Sequence, residues 1–306
     1  MNTPQALIAS IHQRILNKAT VSKRTFNELF IYYAIERFLY RLGKSAYNNI
    51  FILKGALVFL ARYATLTRPT RDIDFLAFTE SSIKNLEKIV RDICIQKVEA
   101  DGLIFDPDSV KGEIIKEDAE YEGVRILFNG YLGKAKVPMR MDIGFGDATT
   151  KPPKFMELNT VLEGMSKPNI RVYSFETVVA EKYHAMVILG EVNSRMKDFY
   201  DLWLMATTME FDLTSLKKAI VRTFEQRKTP LPDTLPLALT PQFCVQKRGL
   251  WNAFIRKNQL SGIPENLMNI IAVIEPFLAP FRSNEKATRT KKSWKHKIGW
   301  LPGSLP

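Results

Sequence analysis

Cysteine and histidine are scarce in this chain of 306 residues, which has two of the first and three of the second. Cys94 and Cys244 lie far apart, which excludes a disulfide framework and leaves two plain thiols of a reducing compartment. His12, His184 and His296 are scattered, and no His/Cys spacing suits zinc. Long hydrophobic runs are missing too. The strongest, Ile50 to Ala61, is interrupted by Lys54, so no segment reads as membrane-spanning. Met1-Asn2-Thr3-Pro4-Gln5 has neither the basic start nor the apolar core of a secretory signal, and a cytoplasmic location is expected. A Gly-x-x-x-x-Gly-Lys-Ser/Thr phosphate loop and a Gly-x-Ser-x-Gly elbow are both absent.

Acidic side chains are comparatively few: 32 Asp and Glu against 44 Lys and Arg, a net charge of +12. Such a balance suits a polyanionic partner, nucleic acid first among them, and equally a solvated tail with ordinary solubility charge. From Arg282 onward, seven basic residues accompany only Glu285. Residues 282–306 are therefore expected to form a flexible basic tail, with Trp294 and Trp300 offering rings for base stacking.

What is present divides into an α+β first half and a helical second half. Apolar residues at Leu29, Phe30, Tyr33, Ala34 and Phe38 follow one helix face, and a second helix is expected over Ser81–Ile93. Strands are expected at Asp72–Phe78, Val110–Lys116, Val124–Tyr131 and Val137–Phe145. Helices are expected over 175–189, 195–208, 213–226, 244–258 and 264–278, with a proline-rich crossing at 229–241. The expected units are 1–165, 166–281 and the tail.

Arg71-Asp72-Ile73-Asp74 carries the sharpest chemical signal. Residues two apart on a strand share a face, so Asp72 and Asp74 point together; a divalent cation such as Mg²⁺ would relieve their repulsion, and a solvated strand end with incidental acids is the alternative. Arg140, Asp142 and Gly144 share another face. If these strands are neighbours, Asp142 completes a metal-binding triad; otherwise it pairs with Arg140 or another cation. Lys54-Gly55 forms a turn that lets backbone amides meet an anion. Lys182 lies on an apolar helix face and must meet either a ligand phosphate or an internal aspartate. Arg195, Asp198 and Asp201 form a helical stripe that, taken locally, reads as a charge ladder.

Five ordered segments together resemble the AbiEii/AbiGii-type nucleotidyltransferase family of toxin–antitoxin and phage-defence systems. They are Leu53-Lys54-Gly55-Ala56, Arg68-Pro69-Thr70-Arg71-Asp72-Ile73-Asp74-Phe75, Met141-Asp142-Ile143-Gly144-Phe145-Gly146-Asp147, Glu176-Thr177-Val178-Val179-Ala180-Glu181-Lys182, and Asn193-Ser194-Arg195-Met196-Lys197-Asp198-Phe199-Tyr200-Asp201-Leu202. The resemblance implies a polymerase-β-like nucleotidyltransferase core, a small mixed sheet with helices, followed by a helical C-terminal part. It also implies Mg²⁺ (or Mn²⁺) on Asp72, Asp74 and Asp142, and an NTP held by Lys54, Gly55, Arg71, Lys182, Arg195 and Asp201. Asp198 joins Asp72, Asp74, Asp142 and Lys182 as a catalytic residue. The acceptor it implies is RNA such as the tRNA 3′ end, and the partner a cognate antitoxin of winged-helix type. Gly55-Ala56-Leu57 departs from the family's Gly-Gly or Gly-Ser/Thr turn and offers no hydroxyl to the γ-phosphate. Two alternatives stand beside this reading: a catalytically silent NTP- or RNA-binding module, and a glycosyltransferase using Asp-x-Asp for a sugar nucleotide.

Overall fold

The computed structural model describes residues 4–63, 68–118, 121–146, 152–283, 292–296 and 298–302. Asp147 and the tail residues Lys286, Arg289, Lys291 and Lys297 lie outside the described residues. The chain divides into two compact units, residues 1–147 with 153–173, and residues 148–152 with 174–306. No described helix is long and apolar enough to cross a membrane.

The first unit runs α1 (Pro4–Ser22), α2 (Phe26–Lys44), β1 (Phe51–Lys54), β2 (Asp72–Ala77), α3 (Ile83–Cys94), β3 (Leu103–Asp118), β4 (Tyr121–Leu132), β5 (Ala135–Phe145), β6 (Lys154–Glu157) and β7 (Asn169–Val172). The helix starts are set by side chains: Thr25 caps the N-H of Glu28, and Ser82 that of Asn85. The strands form one mixed sheet in the order β3-β4-β5-β2-β1-β7-β6, with β2/β5 and β1/β7 parallel. β7 falls within the residues 166–281 grouped with the helices from sequence, and it pairs with β1 at Leu53↔Val172 in this sheet.

One face of the sheet is apolar. Ile73, Phe75, Met139, Met141, Ile126 and Phe128 alternate onto it and are buried. Helix α2 covers it with Phe38, whose ring stands 5.5 Å from Phe105 and 4.7 Å from Phe128. Helix α3 adds Leu86, Ile89, Val90 and Ile93. A buried pair fastens α2 to the start of β3, with Arg41 donating to Asp101 Oδ2 at 2.6 Å and Oδ1 at 3.0 Å. The alternation that makes this face apolar leaves the charged side chains of β2, β4 and β5 on the other.

The second unit comprises α4 (Phe175–Leu189), α5 (Met196–Thr208), β8 (Phe211–Asp212), α6 (Leu213–Gln226), α7 (Pro241–Lys257), α8 (Leu267–Leu278), β9 (Lys292–Lys295) and β10 (Gly299–Pro302). Its core packs α4 on α6 and α5 on α8, with Trp251, Phe199, Phe224 and Phe243 fully buried. The expectation of an irregular tail with stacking rings is overturned here. β9 and β10 form an antiparallel hairpin on β8. Trp294 is buried and donates its indole N-H to Ala206 O at 2.7 Å, and Trp300 donates to Phe277 O at 3.1 Å. Trp300 stacks on Phe277 and meets Phe281 edge-on, and Trp294 packs tilted against Phe277, so apolar ring area is taken out of water. Trp294 is thus closed to a nucleobase, and Trp300 is half-buried with one partner ring stacked on it.

Candidate active site

Register builds the charged face. β2 runs beside β5 with Asp72↔Arg140 and Asp74↔Asp142 as partners. β1 sets Lys54 opposite Asp74, and β4 sets Arg125 opposite Asp142. Lys54, Asp74, Asp142 and Arg125 therefore form one row across four strands, with Asp72 and Arg140 in the next row on the same side. Of the residues expected at the site, the structure brings Lys54, Gly55, Asp72, Asp74 and Asp142 together. Arg71 is exposed immediately before β2.

The Lys54-Gly55 turn lies against Asp74 by geometry that only glycine satisfies. Gly55 has φ +70°, and a Cβ there would come within 2.1 Å of Asp74 Oδ2. A 3₁₀ turn, Gly55–Ala61, follows directly and buries Leu57, Val58 and Phe59. Ala56 is buried in it, so the position where the family carries a hydroxyl is filled by a core methyl.

Asp142 lies beside Asp74 but is engaged by arginines. Arg125 grips both of its oxygens, Nε to Oδ1 at 2.8 Å and Nη2 to Oδ2 at 3.0 Å. Arg140 adds longer contacts of 3.4 and 3.3 Å. Burial works against its charge, yet the two arginines outweigh burial and hold the Asp142 carboxyl below the ordinary range. Among the described residues no three His, Cys, Asp or Glu side chains are grouped to hold a metal. The pairing alternative describes Asp142, with Arg125 as the principal partner. Arg125 was missed in the sequence because its relevance depends on the β4–β5 register rather than on its neighbours.

Asp72 and Asp74 still suit a divalent cation chemically. Both are hard oxygen donors on one face and partly open to solvent, and Mg²⁺ binds through one or two carboxylates while taking water and phosphate oxygens for the rest.

The remaining expected residues lie in the second unit and form a cluster of their own. Lys182 on α4 donates to Asp198 Oδ1 at 2.6 Å and stands 2.8 Å from Asp201 Oδ2. Arg195, at the start of α5, donates from Nε to Asp198 Oδ2 at 2.6 Å. Asp198 and Asp201 are fully buried and Lys182 nearly so. Burial opposes the Asp198 charge, but Lys182 and Arg195 prevail and lower its pKa. Asn193, also missed, is fully buried and accepts the Arg195 backbone N-H at 2.8 Å, which shapes the turn into α5. Of the two partners open to Lys182, the structure supplies the internal aspartates.

The family model described as "Nucleotidyl transferase AbiEii toxin, Type IV TA system" matches residues 37–272, most of the chain and all the positions above. The chain belongs to the AbiEii family. It is accordingly a nucleotidyltransferase, and AbiEii membership brings with it an NTP substrate and an antitoxin partner. Nucleotidyltransferases generally use divalent metals, which agrees with the donor set of Asp72 and Asp74. No curated protein matches the chain. Among solved structures, a candidate nucleotidyltransferase from H. pylori is similar at 15% identity and TM-score 0.45, covering 81% of this chain and 95% of its own. JHP933 from Helicobacter pylori is similar at 15% identity and TM-score 0.44, covering 79% and 90%.

Proposed function

We propose that this AbiEii toxin transfers a nucleoside monophosphate from an NTP to an RNA acceptor such as the tRNA 3′ end, using Mg²⁺ or Mn²⁺ on a polymerase-β-like core. The observation that carries the reading is the placement of Asp72 and Asp74 on one sheet face, with Lys54 across from Asp74 and Gly55 beneath its carboxylate. A divalent cation held by the two aspartates would neutralise the triphosphate and polarise the α-phosphate. The acceptor hydroxyl oxygen bonds to the α-phosphorus as the bond to the bridging oxygen breaks, and pyrophosphate departs.

The chain's own side chains divide the remaining work. Lys54 places a positive charge beside Asp74 at the turn where phosphate oxygens would sit. Asp142 is a poor proton acceptor, because its oxygens are taken and its pKa is lowered; it serves instead to hold Arg125. Taking up the hydroxyl proton then falls to the Asp72–Asp74 pair. Lys182, Arg195, Asp198 and Asp201 are assigned a positioning role within their own unit, since the lysine's charge is already met there. The excess of basic residues supports an RNA acceptor. A winged-helix regulator is the proposed antitoxin.

The test is to incubate the protein with each labelled NTP, Mg²⁺ and total tRNA, alongside Asp72→Asn and Asp74→Asn. Wild type should label the RNA from one preferred NTP, and each variant should lose about a thousand-fold or more while melting normally. Full labelling by either variant would overturn the metal assignment; labelled protein in place of RNA would overturn the acceptor.

A further inference from the structure

The charged face is neutral before any metal arrives. Asp72, Asp74 and Asp142 contribute three negative charges, and Lys54, Arg125 and Arg140 three positive ones. At the β3 edge Glu113 makes a 3.7 Å contact with Arg125, and the exposed Lys111 on the same strand offsets its charge in the sum. The three cations are held very differently. Lys54 is buried, and Arg125 grips Asp142 through two short hydrogen bonds. Arg140 is 40% exposed, and its contacts to Asp72 and Asp142 run from 3.3 to 3.4 Å, well beyond the ordinary length of charge-assisted bonds. Asp142 does not need it, because Arg125 already serves both oxygens. Asp72 is its distinct client.

We propose that Arg140 is an exchangeable counter-ion that stands in for the metal at Asp72, yields to the metal–triphosphate complex, and then turns its guanidinium to the phosphates. Arg140 is thus a positioning residue that makes cation uptake depend on nucleotide. This inference rests on the metal assignment to Asp72 and Asp74. A bare divalent cation meets a face whose charge is already balanced, so it gains little. A cation arriving with a triphosphate releases Arg140 from Asp72 and supplies it with a new anion, for which the planar fork of arginine is suited.

The proposal predicts changes of opposite sign from a single substitution. Arg140→Gln leaves the face one charge negative, so Mn²⁺ alone, followed by the electron-spin resonance of the free ion, should bind roughly ten-fold more tightly than to wild type. In the same variant, NTP affinity in saturating Mn²⁺ should fall about ten-fold. Arg140→Lys keeps the charge without the fork, so its affinity for Mn²⁺ alone should stay near wild type while NTP binding weakens. Because the side chain is partly exposed, thermal melts of both variants should match wild type. If Mn²⁺ binding without nucleotide is unchanged or weaker in Arg140→Gln, the counter-ion role is overturned while the aspartates keep theirs. If Asp72→Asn in the Arg140→Gln background still binds Mn²⁺ as tightly, or if wild type binds none even with NTP, the metal assignment falls as well.

Discussion

Two clusters of the same residue types sit in the two units and behave as opposites. On the sheet face, Asp72 and Asp74 are partly open to solvent, and Arg140 touches Asp72 through a long 3.3 Å contact. In the helical unit, Asp198 and Asp201 are fully buried, and Lys182 and Arg195 meet them at 2.6 to 2.8 Å. A partly hydrated pair can exchange its cation at little cost, whereas a buried pair that loses a partner strands a charge in a poorly polarisable interior. Burial, more than sequence motif, separates the group that can take up a ligand from the group that fixes a helix pair.

The sharpest way to break that comparison is to delete one cation or one anion from each cluster. Lys182→Ala should cost about 3–5 kcal/mol in chemical denaturation, because both aspartates lose their shared partner. Asp72→Asn should leave stability unchanged or slightly raised, since it removes repulsion from Asp74. Equal losses in the two variants would erase the distinction.

Acid should sharpen the contrast next. His184 on α4 accepts from Arg227 at Nδ1 and pairs through Nε2 with Thr229, and burial, with Arg227 beside it, pulls its pKa from 6.5 down to about 4. The folded pKa lies below the unfolded one, so the stabilisation is whole above pH 6.5 and drains as pH falls toward 4, by roughly 3 kcal/mol at most. Hydrogen exchange at pH 4.5 against pH 7.5 should show α4 and α6 opening more than the sheet, and His184→Gln should flatten the difference. The smallest expected effect is at Gly55. Gly55→Ala should cost about 1–2 kcal/mol from its positive φ, yet depress transfer more than stability, because the new methyl displaces the Asp74 carboxylate. Unaltered transfer would detach that turn from the site.

Local pattern carried much of the architecture. Helices expected over 175–189 and 213–226 coincide with α4 and α6, and the Asp72 strand and its neighbour at β5 were visible from alternation. What local pattern could not supply was partnership. β7 is only four residues long, and its reason for being a strand is β1, far away along the chain. The hairpin of β9 and β10 read as a basic tail because its apolar residues show no regular periodicity, and its two tryptophans find their acceptors far away on α5 and α8. The site divided in the same way. Asp72 and Asp74 declare themselves by spacing, while the fate of Asp142 was decided by Arg125 on the adjacent strand.

The parallel pairing of β2 with β5, and of β1 with β7, also has a consequence for synthesis and folding. Contacts between residues distant in sequence carry the greatest loop-closure cost and form late. A nascent chain that has emerged through Asp74 already holds Asp72 and Asp74, the aspartates proposed to hold the metal, yet not the β5 partner strand until residues 135–145 appear, and β1 lacks its outer neighbour until residues 169–172 follow. The charged face is therefore among the last parts of the first unit to be assembled, so an incomplete translation product would carry the Asp-x-Asp motif without the strands that complete the proposed site.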